Sequence, residues 1–106
     1  RRDYNFPAAA TYALALGFMT GNAVDTVRKG LLSANKNERI NAARAAAYMA
    51  GVLSNPDAFT YTSDRAFDTG LLKSLIPQLK VLVQTGDENV RIYAQNALTQ
   101  IEKLMN

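Results

Sequence analysis

Leu72, Leu75, Ile76, Leu79, Leu82 and Val83 recur at helical spacing, and so do Val90, Ala94, Ala97, Leu98, Ile101, Leu104 and Met105. Between the two runs lies a short polar break, Thr85-Gly86-Asp87-Glu88-Asn89. Two amphipathic helices joined by so few residues fold back on each other as an antiparallel pair. Fifty residues upstream, residues 31–40 echo residues 81–90, with Asn37 against Asp87 and Ile40 against Val90. The pattern predicts the same joint made twice.

The rest of the chain fills in around these joints. A first helix is expected from Pro7 to Met19, because proline suits the first helical turn and the alanines that follow favour helix. A second spans Ala23–Ala34, with Asn22 as its N-cap and an apolar stripe of Val24, Val27, Leu31 and Leu32. A third, Asn37–Leu53, is capped by Asn35 or Asn37. It carries small residues on several faces, which places it at the centre of the domain. Residues 55–68 form a long connection holding Phe59, Tyr61 and Phe67. Such a loop is either stapled to the core by its aromatics, with room for a short helix starting at Ser63-Asp64, or offered to a partner. A fourth helix, capped by Asp68 or Thr69, runs to Gln84 with Pro77 inside it, and a fifth takes Glu88–Met105. The 106 residues thus predict one all-α domain of about five helices.

The run Leu75-Ile76-Pro77, then Asp87 in the joint, Val90-Arg91 and Ala94-x-x-Ala97-Leu98 resembles a HEAT repeat of the broader HEAT/armadillo class. The resemblance implies antiparallel hairpins stacked as a short right-handed solenoid, in which an aspartate and a basic residue form a polar ladder between repeats. Asp87 and Arg91 match those positions. At the fifty-residue offset Asn37 and Asn41 stand in their places, which would interrupt the charged ladder in the earlier pair. Residues 6–17 resemble the second helix of a still earlier repeat. About two and a half repeats then imply a fragment of a longer solenoid, or an N-terminal face that meets a partner.

Composition removes whole classes of chemistry. With no cysteine, disulfides, thiolate metal sites and thiol nucleophiles are excluded, and with no histidine the commonest general base and metal ligand are gone. The carboxylates stand mostly at helix starts and in loops, where capping accounts for them. Asp57, Asp64 and Asp68 share a loop without the alternating ligands and central glycine of a calcium site. No phosphate-binding glycine loop, nucleophile elbow or zinc spacing is present. The chain therefore reads as non-catalytic, with no cofactor and no metal. No apolar run reaches the ~20 residues that span a bilayer, and nothing in the sequence gives a cellular address.

What remains is surface. Twelve Lys+Arg stand against nine Asp+Glu, a net charge of +3, and the basic residues are scattered rather than massed in a stripe. The resemblance places the second helix of each pair on a concave face. Outward residues there would be Asn41, Arg44, Ala45 and Tyr48 on the third helix and Ile92, Gln95, Asn96 and Thr99 on the fifth. Tyr93, three residues after Val90, fits either an outward or a buried position. Arginine and tyrosine are favoured interface anchors. Arg44, Tyr48, Gln95 and Thr99, with Phe59 and Tyr61 of the long connection, are accordingly the expected partner-binding residues. A protein-interaction or scaffold module is the first expectation. The alternative is a nucleic-acid-binding module using Arg28, Lys29, Lys36, Arg39 and Arg44 on phosphates.

Overall fold

The computed structural model describes residues 21–55 and 65–105. Among them it is all-helical, with α1 (Gly21–Leu31), α2 (Lys36–Ser54), α3 (Arg65–Lys73), α4 (Ile76–Thr85) and α5 (Glu88–Lys103). The helix expected at 7–19 lies outside the described residues.

Several of the expected boundaries move. α1 already includes Asn22, so that residue is not its N-cap. The single helix expected from Asp68 or Thr69 to Gln84 is two helices, α3 and α4. Pro77 makes the cut. It has no N–H to donate to the carbonyl of Lys73, and its ring would collide with that carbonyl, so α3 stops there and Pro77 takes up the first turn of α4. Leu75 N–H closes the break on Leu72 O at 2.9 Å, while the Leu75 side chain stays fully buried. α3 begins at Arg65, ahead of the cap expected at Asp68 or Thr69 and next to the Ser63-Asp64 start allowed for a short helix, so Asp68 sits in its first turn and is buried rather than capping. The connection is shortened from its far end to match.

Each joint is held by a cap that its sequence supplies. Asn35 accepts from Glu38 N at 3.2 Å and starts α2; Asp87 accepts from Val90 N at 3.0 Å and starts α5. Both satisfy donors that the first turn of a helix leaves without an intrahelical partner. α1 and α2 thereby form one antiparallel hairpin, and α4 and α5 another.

The densest packing is between α2 and α5, with α1 on α2 and α4 on α5; α3 lies against α2. α2 buries residues on several sides, Ala42, Ala43, Ala45, Ala46, Met49, Ala50, Val52 and Leu53. Its alanines let neighbouring helices approach closely, as expected of a central helix.

The two caps correct the register of the internal echo. Asn35 and Asp87 are fifty-two residues apart, not fifty, and burial follows the same offset except at the helix start, where buried Val90 falls on exposed Glu38. Ala42, Ala45, Ala46 and Met49 are buried in α2, and their counterparts Ala94, Ala97, Leu98 and Ile101 are buried in α5. In the outer helices Val27 matches Leu79 in the same way. At an offset of fifty, exposed Arg44 would fall on buried Ala94. The echo missed by two because its polar letters were aligned across joints of unequal length, residues 32–35 against residues 86–87. In the corrected register Asn35 takes the place of Asp87 and Arg39 that of Arg91, so a basic residue does stand in both pairs.

Candidate interaction surface

α5 has three faces, set by its 100° turn per residue. Val90, Ala94, Ala97, Leu98 and Ile101 are buried. Tyr93, Asn96 and Gln100 form a second stripe. Glu88, Ile92, Gln95 and Thr99 form a third, roughly a third of a turn further round, and all four are exposed.

On the second stripe the structure pairs Arg44 with a residue the sequence left undecided. The Arg44 guanidinium lies over the Tyr93 ring, 5.8 Å from its centroid, and so bridges α2 and α5 across their outer side. Arg44 is exposed and Tyr93 is 37 % exposed. A cation over an aromatic face at this distance is held by the ring's quadrupole, which orders a long side chain before any partner arrives. Tyr48, four residues on from Arg44, is half-buried and packs against the core. Its ring therefore supports the surface more than it projects from it.

Gln95 and Thr99 do not join this group. They lie on the third stripe, where Gln95 Nε2 donates to Thr99 Oγ1 at 3.2 Å. Phe59 and Tyr61 lie outside the described residues. Phe67, the third aromatic of the expected connection, stands in α3 and is largely exposed. Tyr93 was missed as an anchor because the interval of three from Val90 fits a buried stripe. The corrected register would have found it, for it falls opposite half-exposed Asn41 on the outward side of α2.

The third stripe opens into a shallow groove of about 440 Å³, lined by Val83 of α4 and by Glu88, Arg91, Ile92 and Gln95 of α5. Ile92 is 56 % exposed there. Leu31, Lys36, Arg39, Ile40 and Ala43 are the counterparts of these five residues in the first hairpin. Leu31 and Ala43 are buried, and Ile40 is partly buried against the core.

The basic residues are mostly engaged within the chain. Arg28 pairs with Asp25 and donates to Ser74 Oγ at 2.6 Å. Arg39 donates to Ser33 O at 2.7 Å. Lys36 reaches Asp87 at 3.4 Å, linking the first hairpin to the joint of the second. The Val90 N–H holds the Asp87 carboxyl below its ordinary value of 3.8 against the opposing effect of desolvation, and the Lys36 and Arg39 charges add smaller effects in the same direction as the N–H.

Among the described residues no group of three or more acidic side chains is placed to hold a metal ion, and no helix is long and apolar enough to cross a membrane. Asp57 and Asp64 of the acidic loop lie outside them. Comparison with protein-family models, curated proteins and solved structures finds no match to this chain.

Proposed function

We propose that this chain is a non-catalytic protein-interaction module, built of HEAT-like helical hairpins stacked as a short solenoid and presenting a binding surface on α2 and α5. The fifty-two-residue recurrence of caps and buried positions supports a repeat architecture. The observation that carries the functional reading is the Arg44–Tyr93 pair. It is exposed, ordered by its own stacking, and made of two residue types that anchor interfaces. A partner meets a guanidinium whose entropy of ordering has already been lost. Carboxylates or backbone carbonyls suit its remaining donors.

The nucleic-acid alternative draws less support. Of its five basic residues, Arg28, Lys36, Arg39 and Arg44 have intramolecular partners. The test is capture of partners from lysate with the intact chain as bait, with and without nuclease. A protein retained after nuclease and lost with Arg44→Ala and Tyr93→Ala supports the module. Capture that disappears with nuclease, or a protein equally retained by both variants, contradicts the assigned surface.

A further inference from the structure

The internal recurrence shows what kind of object fits the third stripe of α5. In the first hairpin the same stripe is Lys36, Ile40, Ala43 and Ala47; Ala43 is buried, Ile40 and Ala47 are partly buried, and Lys36 is exposed. Its charged end is met by the joint of the second hairpin, where Asp87 pairs with Lys36. In the second hairpin the stripe is Glu88, Ile92, Gln95 and Thr99, beside a groove of about 440 Å³. The apolar residue one turn in is kept as isoleucine. The charge at the helix start is reversed.

We propose that this end face docks a helical hairpin of a partner protein, seated as the second hairpin sits on the first, with a lysine or arginine in its turn opposite Glu88. The charge follows from complementarity: Lys36 is met by a carboxylate, so Glu88 calls for a cation at the corresponding place. A separable partner follows from the side chains. Ala43 is buried and Ala47 partly buried within the fold, whereas exposed Gln95 and Thr99 satisfy each other and can stand in water between encounters. The surface is distinct from the Arg44–Tyr93 pair and does not depend on it.

The probe is a further copy of residues 55–106, one repeat period, fused after Asn106 of the intact chain. Its Asp87 is changed to Lys so that a cation faces Glu88 of the original unit. Gln95→Cys or, in a second series, Thr99→Cys in the original unit reports burial by the rate of thiol labelling; the chain has no other cysteine. Docking should slow labelling by roughly tenfold or more relative to the unextended chain. Glu88→Lys in the original unit should remove that protection. Restoring Asp in the appended copy, with Glu88→Lys kept, should bring it back. Labelling that is unchanged by every extension overturns the proposal, and so does protection that ignores the sign of the charges.

Discussion

The two joints make the same turn with different chemistry. The first uses residues 32–35 and a local web: Asn35 N–H donates to Ser33 Oγ, Ser33 Oγ donates to a Glu38 carboxylate oxygen, and Arg39 returns to Ser33 O. The second uses only residues 86–87. A Cβ on Gly86 would stand 2.7 Å from both Leu82 O and Val90 Cγ1, so the chain turns there by bringing backbone against side chain with no room for more. Its cap is a carboxylate, and that carboxylate reaches outward to Lys36 of the other hairpin. One joint is held from within, the other by close fit and by a charge shared between hairpins. The contrast continues along α2 and α5: four buried positions match, buried Ala43 stands against exposed Gln95, and exposed Glu38 stands against buried Val90.

The sharpest way to break that comparison is to exchange its uncovered and covered members. Ala43→Gln puts an amide where the wall is closed and should cost about 2–4 kcal/mol in denaturant unfolding, while Gln95→Ala at the matching site should stay within about 0.5 kcal/mol. Gly86→Ala should come next. The atoms it meets include a backbone carbonyl, so the joint itself must shift, at about 1–3 kcal/mol.

The caps give smaller and more discriminating effects. Asn35→Ala should cost about 1 kcal/mol, independent of pH, because the amide does not titrate. The Asp87 joint should respond to acid. Its carboxyl is lowered in the folded chain, so the stability it contributes is complete above the ordinary value of 3.8. That contribution is lost as pH falls through the lowered folded value. Thermal unfolding of Asp87→Asn should show a shallower loss below about pH 4 than the parent chain. Smallest of all, Lys36→Ala should lower the melting temperature slightly, and high salt should erase the difference, since both partners are about half exposed.

Much of this fold was legible in the sequence because helical periodicity and caps are local. The stripes at 72–83 and 90–101, the joint at Asp87 and the many-sided burial of α2 all follow from side chains within a turn or two of one another. The break at Pro77 was also visible, and the cost of an interior proline argued for two helices rather than one. Register was harder to see. Polar letters in a joint repeat by composition, so Asn37 looked like the partner of Asp87 although Asn35 makes the cap. Gln95 and Thr99 were expected beside Arg44 because the resemblance put them on a concave face, and Tyr93 stayed undecided because it lies three residues after Val90. Which stripe of α5 lies bare depends on where α2 and α4 pack, and that is a tertiary fact no local pattern carries.

The account rests on α2 and α5 being one pattern in two environments, and a chain without cysteine lets that be measured cleanly. Single cysteines at Ala43, Ala47, Gln95 and Thr99 should be labelled in the native state alongside the same variants unfolded in denaturant. A cysteine at 43 should react only as fast as the domain opens and one at 47, which is partly buried, at an intermediate rate, while those at 95 and 99 react at nearly the unfolded rate. Equal rates within each matched pair, 43 with 95 and 47 with 99, would contradict the covered and bare stripes and the surfaces assigned from them.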